Sequence, residues 1–275
     1  MINVKDCVAL GNGLIGKLTM VVFALLAPSG NKVPRLWRRV VRRVTPDVWL
    51  RPAALNGLRL SINPREWSQT VIFEEVFLRN GYDLKKVKFA PEKIIDCGAH
   101  IGLFSLLAKS VFPSVPLTAY EPNPSNLEYA RRQFVKNQLD VEVVAAAVSN
   151  KPGLIRFSSS NSHSGRLNHD SSTIWGIEVE VIDLPKYIES LHLSSLLLKM
   201  DVEGEELRIL PDLVPILPNK SAVFFELHSG EDGWERISRL FADHGFHTEK
   251  INSRGLFIDG FACRGPQRRE DHDHG

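Results

Sequence analysis

The chain has 275 residues, of which 43% are hydrophobic and 24% charged, a composition that excludes a disordered chain or a fibre. Its formal net charge is +2, so the overall balance does not require a nucleic acid partner. The charge is uneven, since residues 1–50 contain eight basic and two acidic side chains and the rest of the chain is net acidic. Three widely spaced cysteines, Cys7, Cys97 and Cys263, fit neither a disulfide framework nor a zinc site, so we expect a reducing, cytoplasmic location.

The first 54 residues are predicted to form a basic, partly helical extension. A helix over 34–44 would place five arginines on one face: Arg35, Arg38, Arg39, Arg42 and Arg43. Beside the apolar run at 18–27, this face predicts contact with an anionic membrane surface. The alternative is a solvated arginine face on a helix whose apolar side packs on the main domain. At ten residues the apolar run is too short to span a bilayer, and no clean cleavage site favours a secretory signal.

A glycine motif near the start of the chain, formed by Gly11, Gly13 and Gly16, has the spacing of a dinucleotide-binding loop. The residues before it include Lys5 and Asp6, which weaken a buried strand, and a Pro- and Arg-rich stretch comes after it. Such a loop needs a strand before it and a helix and second strand after it. We therefore interpret this motif as unrelated to function.

From residue 93 onward, strand-like apolar runs alternate with helical patterns. The predicted strands cover 93–97, 117–121, 141–148, 196–201 and 222–227, the predicted helices cover 102–110, 124–137, 203–210 and 233–244, and a hairpin covers 247–251 and 255–259. This alternation predicts an α/β fold, with a doubly wound, mostly parallel sheet covered by helices on both faces. We expect this domain to span 55–265, preceded by the extension at 1–54 and followed by a polar tail at 266–275.

A second glycine motif lies directly after the predicted strand at 93–97 and directly before a predicted helix. Gly98 and Gly102 allow the backbone to pass close to a ligand, and the helix N-terminus offers N–H groups to a carboxylate. Asp96, at the strand end, suits an amine. His100 stands between the glycines, which favours a head group smaller than a pyrophosphate. The motif therefore predicts a site for an amino acid zwitterion.

Glu121 ends the next predicted strand, 19 residues after Gly102. A doubly wound fold places there the acid that accepts both hydroxyls of a ribose. An amino acid head group next to a ribose indicates S-adenosylmethionine. A tight turn followed by an unrelated glutamate is the weaker interpretation, because strand, glycines, helix, next strand and acid all occur in the expected order.

Asp201 and Glu203 follow the predicted strand at 196–201, and His228 follows the one at 222–227, so all three should reach the crevice at the carboxyl ends of the strands. Methyl transfer requires an aligned acceptor oxygen and removal of its proton. His228 or Asp201 is a candidate general base; a divalent cation bound by Asp201, Glu203 and His228 is the less favoured option. Alternatively, Asp201 only caps a helix that begins near Glu203, and His228 bonds a loop. Lys199 is expected to pair with a carboxylate.

Four segments resemble the consecutive signatures of FkbM-type S-adenosylmethionine-dependent methyltransferases: IIDCGAHIGLFSLLA, AYEPNPSNLEYARRQFVKN, LLLKMDVEGEELRIL and FFELH. The resemblance covers about 55 to 258 and implies a seven-stranded class I methyltransferase fold, with methyl transfer to a hydroxyl of a sugar, polyketide or related metabolite. It also implies that the cofactor is held by Asp96, Gly98, Gly102, Glu121 and Asn123. The backbone near Ala147 would lie beside the adenine. His100 departs from the small or amide residue usual at its position.

The sequence therefore predicts an S-adenosylmethionine-dependent methyltransferase whose acceptor is a hydroxyl on a small molecule or glycan. A nucleic acid substrate is disfavoured, because the domain is net acidic and no Asn/Asp-Pro-Pro-Tyr/Trp motif follows the fourth strand. The alternative is a non-catalytic or membrane-associated member of the same fold that binds the cofactor. The polar stretch at 158–172 is predicted to be a loop over the acceptor pocket, or a surface loop without function.

Overall fold

The computed structural model describes residues 9–10, 48–63, 66–159, 165–168 and 176–265. The predicted basic helix at 34–44, the apolar run at 18–27, the first glycine motif and the tail at 266–275 all lie outside the described residues. In the parts of the chain that are described, no helix is both long enough and apolar enough to cross a membrane.

The described chain alternates strands and helices. The strands are β1 (Val48–Leu50), β2 (Leu60–Ile62), β3 (Lys93–Cys97), β4 (Leu117–Tyr120), β5 (Glu142–Val144), β6 (Ala146–Ser149), β7 (Gly153–Ser159), β8 (Gly165–Asn168), β9 (Ile177–Asp183), β10 (Ser195–Met200), β11 (Lys220–Leu227), β12 (His247–Arg254) and β13 (Phe257–Arg264). The helices are α1 (Trp67–Phe73), α2 (Leu103–Val111), α3 (Pro124–Lys136), α4 (Leu184–Ser190), α5 (Glu206–Leu213) and α6 (Gly230–Asp243), with a π-helical turn at Glu74–Leu78 and 3-10 turns at Ala53–Leu55, Leu84–Lys86 and Val214–Ile216.

The main sheet has seven strands in the order β12-β13-β11-β10-β3-β4-β5. The neighbours from β11 to β5 pair in parallel, and β13 is antiparallel to both β11 and β12. The chain runs outward from β3 to β5 and then returns to β10 on the other side of β3. This reversal opens a crevice at the carboxyl ends of β3 and β10, the usual ligand position in open α/β sheets. The predicted doubly wound, mostly parallel sheet is confirmed.

Alternate residues of the strands enter two cores, one on each face of the sheet. Leu197 and Phe224 belong to the core under α1, α2 and α3, and Leu198 and Phe225 belong to the core under α4, α5 and α6. All six residues of β10 are buried, as expected for a central parallel strand covered on both faces. The starts of the four predicted helices agree with the structure within three residues. Side chains cap two helices: Asn123 accepts from the Ser125 N–H before α3, and Asp183 accepts from the Lys186 N–H before α4.

The predicted strand at 141–148 is two strands that belong to different sheets. β5 closes the main sheet, whereas β6 pairs with β9 in a four-stranded sheet of order β6-β9-β7-β8. The polar stretch predicted as a loop at 158–172 is also partly strand, because β7 extends to Ser159 and pairs with β8. The alternating pattern at Leu154–Phe157, within β7, is short and polar on one side. Periodicity alone therefore did not distinguish this strand from a loop.

Residues before the predicted domain boundary at 54/55 also pack on this domain. β1 pairs with β2 across that boundary, and Leu50 is fully buried in the core under α1 and α2. Helix α1 continues directly into the π-helical turn, which buries Glu75 in the protein. π-helical turns often occur at functional sites.

Candidate active site

The glycine loop after β3 is held by close backbone contacts. Gly98 has a φ of +75°, and a Cβ placed there would lie 1.8 Å from the Asp201 carbonyl oxygen. Gly102 has a φ of +82°, and its Cβ would lie 2.7 Å from the ring of Phe134 in α3. Both positions therefore require glycine, for backbone conformation and for space. The contact at Gly98 joins the end of β3 directly to the end of β10.

Asp96 lies beneath this loop. Its carboxylate is fully buried, accepts a hydrogen bond from Ser105 Oγ at 2.6 Å and lies 3.6 Å from Lys199 Nζ. Burial raises the pKa of Asp96, and Lys199 and Ser105 oppose that rise. In the described structure, Asp96 thus supports the loop from below, while its predicted contact with a ligand amine stays a prediction.

Lys199 connects the glycine loop to Asp201. Its ammonium donates to the Gly98 carbonyl at 2.5 Å and lies 3.6 Å from a carboxylate oxygen of Asp201. Burial alone would lower the pKa of Lys199, but Asp201 and Asp96 outweigh it and raise the pKa. The predicted pairing of Lys199 with a carboxylate is confirmed, and its charge compensates acids on both sides.

Glu121 joins the glycine loop to the loop after β4. One carboxylate oxygen accepts the His100 N–H at 2.8 Å, and the other accepts the Asn123 N–H at 2.9 Å and lies 3.5 Å from the Asn126 amide. Burial raises the pKa of Glu121 to about 7, although these hydrogen bonds oppose the rise. Since each carboxylate oxygen has two acceptor positions, Glu121 keeps one free position beside the His100 N–H and gains a second where a hydroxyl replaces the 3.5 Å contact with Asn126.

The other two residues assigned to the cofactor lie nearby but use their side chains within the protein. The side chain of Asn123 caps α3. Ala147 lies in β6, and its side chain packs with Phe157 and Val181 in a small cluster of the second sheet. Their predicted contacts with the cofactor would therefore come chiefly from the backbone.

Asp201, Glu203 and His228 come together at the carboxyl ends of β10 and β11. One donor atom from each lies within 4.8 Å of the other two, and His228 Nε2 is 3.3 Å from Glu203 Oε2. The side chains of Asp201 and Glu203 are 17% and 25% exposed, whereas that of His228 is 6% exposed. The cluster thus has a buried imidazole at its base and two carboxylates that reach the crevice.

Glu206, which the sequence did not single out, fixes the turn that carries Glu203. Its carboxylate is 1% exposed and accepts the Val202 and Gly204 N–H groups at 2.9 and 3.0 Å. Glu203 has a φ of +55°, so this turn is not helical, and α5 begins only at Glu206. The alternative in which Asp201 caps a helix beginning near Glu203 is therefore wrong. A run of acids directly after a strand end was the available signal for Glu206.

His228 lies between two carboxylates. Its Nδ1 is 3.2 Å from Glu206 Oε1, on the opposite side of the ring from Glu203. Burial alone would lower the pKa of His228, but the contacts with Glu203 and Glu206 raise it to about 11. With both ring nitrogens directed at carboxylates, His228 does not have the geometry of a general base for an external hydroxyl.

A second acidic cluster, also missed in the sequence, adjoins this one. Arg254 of β12 lies among three carboxylates, at 3.0 Å from Glu75, 3.2 Å from Glu226 and 3.2 Å from Asp259. Burial, with the charges of Asp201 and Glu75, raises the pKa of Glu226 to about 9. The four residues come from the π-helical turn, β11, β12 and β13, so no local pattern could have grouped them.

The turn between β12 and β13 adds an apolar surface beside His228. The ring of Phe257 lies 5.3 Å from the imidazole, edge to face, and Leu256 and Phe257 are 65% and 43% exposed. The Gly230 N–H donates to the Leu256 carbonyl at 2.9 Å, which ties this turn to the start of α6.

This strand order, with a glycine loop after β3 and a buried acid after β4, defines the class I S-adenosylmethionine-dependent methyltransferase fold. The FkbM methyltransferase domain matches residues 96–255, more than half of the chain. The chain belongs to this family, as the resemblance implied. The acceptor capacity of Glu121 beside the glycine loop fits the ribose of S-adenosylmethionine.

Several known proteins are similar to this chain. The methyltransferase sdnD of Sordaria araneosa is 31% identical over 86 residues, and the match covers 30% of this chain and only 33% of that protein. The 31-O-demethyl-FK506 methyltransferase FkbM of Streptomyces tacrolimicus is 25% identical, with coverage of 64% and 80%. The hexuronic acid methyltransferase AglP of Haloferax volcanii is 25% identical, with coverage of 60% and 68%. A solved methyltransferase of Pyrococcus furiosus is 16% identical, covers 83% and 94%, and has a TM-score of 0.43.

Proposed function

We propose that this chain transfers a methyl group from S-adenosylmethionine to a hydroxyl oxygen of a small molecule or glycan. The observation that carries the proposal is the cluster of Asp201, Glu203 and His228 at the strand ends next to the glycine loop. Two relatives, a 31-O-demethyl-FK506 methyltransferase and a hexuronic acid methyltransferase, support this acceptor class by their names. Membrane contact through the basic helix at 34–44 remains a separate prediction.

The glycine loop and Glu121 hold the cofactor in this proposal. Backbone groups between Gly98 and Gly102 face its amino acid end, and Glu121 accepts its ribose hydroxyls. When bound, S-adenosylmethionine supplies a methyl group on a positively charged sulfur. The backbone contact between Gly98 and Asp201 fixes the distance from this loop to the acidic cluster, which aligns the two reactants.

Asp201 is the proton acceptor. It is more exposed than His228, and neither of its carboxylate oxygens is held by the short contacts that surround the imidazole. The acceptor oxygen forms a bond to the methyl carbon as the methyl–sulfur bond breaks. The electron pair of that bond stays on sulfur, and the hydroxyl proton passes to Asp201. Glu203, which is held by His228, orients the acceptor beside it.

The apolar turn at Leu256 and Phe257 bounds the acceptor side of the crevice. An exposed aromatic ring next to polar groups suits a ring-shaped acceptor that has an apolar face and a hydroxyl edge, such as a sugar or a polyol macrocycle.

The experiment is methyl transfer from isotopically labelled S-adenosylmethionine to matched acceptors that present a hydroxyl, an amine or a thiol on the same ring. We expect a methyl ether from the hydroxyl series and S-adenosylhomocysteine in equal amount. Methyl transfer only to nitrogen or sulfur would contradict the proposal. Cofactor binding without transfer to any acceptor in the panel would favour the non-catalytic alternative.

Cofactor affinity should depend on pH through Glu121. If only the ionised carboxylate accepts both ribose hydroxyls, a pKa of about 7 makes the dissociation constant of S-adenosylmethionine about tenfold larger at pH 6 than at pH 8. Calorimetric titration at both pH values measures the dissociation constant for the wild type and for Glu121→Gln. Any effect of pH on the ligand itself is the same for both proteins, so the difference between them reports on Glu121. An equal pH dependence in the two proteins would contradict the assignment.

The same shift has the opposite effect on stability without cofactor. The pKa of Glu121 is raised from 4.5 to about 7, so between these values the unfolded chain has lost a proton that the folded chain retains. The free energy of unfolding contributed by this group should therefore fall as the pH rises through that range.

A further inference from the structure

We infer that Asp201, Glu203 and His228 form a binding site for a divalent cation of the magnesium and manganese class. The inference rests on the proposed function, since it concerns the same site and the activation of the same acceptor. Two carboxylate oxygens and one imidazole nitrogen are a donor set that these ions accept, and binding of the ion releases to solvent the proton that His228 otherwise holds at Nε2. All three donor atoms lie within 4.8 Å of one another.

The spacing of the donors fits one ion. Ligands at about 2.1 Å from an octahedral ion lie about 3.0 Å apart when adjacent and about 4.2 Å apart when opposite. His228 Nε2 and Glu203 Oε2, at 3.3 Å, have nearly the separation of adjacent ligands. The donor atoms lie at most 4.8 Å apart, so a small inward movement of the two partly exposed carboxylates completes the site.

Glu206 supplies the outer support that such a site needs. A histidine that binds a metal usually donates its other ring N–H to a carboxylate, which fixes the ring and directs the free nitrogen at the ion. Glu206 Oε1 lies 3.2 Å from His228 Nδ1, and this carboxylate is itself fixed by the Val202 and Gly204 N–H groups. The arrangement therefore points His228 Nε2 at Glu203 and the crevice.

In the neighbouring acidic cluster, a side chain of the protein itself supplies the cation. There the guanidinium of Arg254 lies 3.0 to 3.2 Å from Glu75, Glu226 and Asp259, so its cation is part of the chain. At the first cluster, the ammonium of Lys199 lies 3.6 Å from Asp201 and donates instead to the Gly98 carbonyl. The charged groups that balance Asp201 and Glu203, Lys199 and His228, are only 3% and 6% exposed, so they do not extend to the crevice as the two partly exposed carboxylates do.

A cation there would assist the proposed reaction. Because Asp201 and Glu203 are partly exposed, the ion would keep open positions toward the crevice. A divalent ion lowers the pKa of a hydroxyl that approaches it, which makes the acceptor oxygen a better nucleophile. Asp201 uses one oxygen for the ion and keeps the other for the proton.

The test measures Mn²⁺ binding to the full chain. Binding is detected as the loss of the free-ion signal in electron paramagnetic resonance, and Mg²⁺ is added as the competitor. His272 and His274, in the tail outside the described residues, are competing ligands. All measurements therefore use a His272→Gln/His274→Gln background. The variants are Asp201→Asn, Glu203→Gln and the outer-shell change Glu206→Gln. The matched control is Asp212→Asn, which removes an exposed carboxylate bonded to Asn150.

We expect one Mn²⁺ per chain, displaced by Mg²⁺. The affinity should fall about 10- to 100-fold in Glu206→Gln, at least as much in the two ligand variants, and not in Asp212→Asn. Absence of stoichiometric binding, or binding equal in all variants, would overturn the inference. In that case a proton held on His228 between Glu203 and Glu206, and not a metal ion, supplies the positive charge of the cluster. Methyl ether formation that persists after chelation would reject the cation and keep the proposed function, whereas Mn²⁺ binding without transfer to any hydroxyl would do the reverse.

Discussion

Replacement of Asp201 by asparagine should lower turnover about 10²- to 10⁴-fold, the usual contribution of a positioned proton acceptor. The substitution keeps the shape of the side chain and removes its basicity. Lys199 keeps Asp96 and the Gly98 carbonyl as partners, so the loop that binds the cofactor should persist. Steady-state kinetics with a hydroxyl acceptor, together with calorimetric titration of S-adenosylmethionine, should show a large loss in kcat and little change in cofactor affinity.

The control for this variant is Asp212→Asn, which makes the same chemical change at an exposed site on α5. Its kinetics should equal those of the wild type. A variant that retains turnover within about tenfold of the wild type would exclude Asp201 as the proton acceptor.

Glu121→Ala should weaken the binding of S-adenosylmethionine by about 2 to 4 kcal/mol, or roughly 30- to 900-fold. Each hydrogen bond to a charged acceptor contributes about 1.5 to 3 kcal/mol, and only part of the sum for the two ribose hydroxyls is forfeited when the acceptor is removed. The structure adds a second reason, because alanine also leaves the His100 and Asn123 N–H groups without this acceptor. Glu121→Gln keeps one acceptor oxygen and should lose less.

Calorimetric titration measures the affinity, and a thermal melt checks that each variant is folded. Glu128→Ala is the matched control, since it removes an exposed carboxylate from α3, the helix that follows Glu121. It should bind the cofactor as the wild type does. Equal affinity in Glu121→Ala and the wild type would show that the ribose is held elsewhere.

The sequence by itself determined the order of the elements and the positions of the chemical groups along them. Short apolar runs such as 93–97, separated by helical patterns, require a parallel sheet with helices on both faces. Gly98, Glu121 and Asp201 each follow a strand directly, and parallel strands bring such residues to one edge whatever their separation in sequence. The sequence therefore predicted which loops come together to form the candidate site.

Only the tertiary structure decided which partners each group has. Arg254 and Glu75 are 179 positions apart, and their pairing depends on how the π-helical turn packs beside β12. The division of 141–148 between two sheets also depends on its neighbours, because a single apolar run carries no signal for a change of pairing. Likewise, the position of His228 between Glu203 and Glu206 arises from the turn after β10. Local patterns fix where a side chain lies along its element, whereas its contacts, and through them its protonation, depend on residues that only folding brings near.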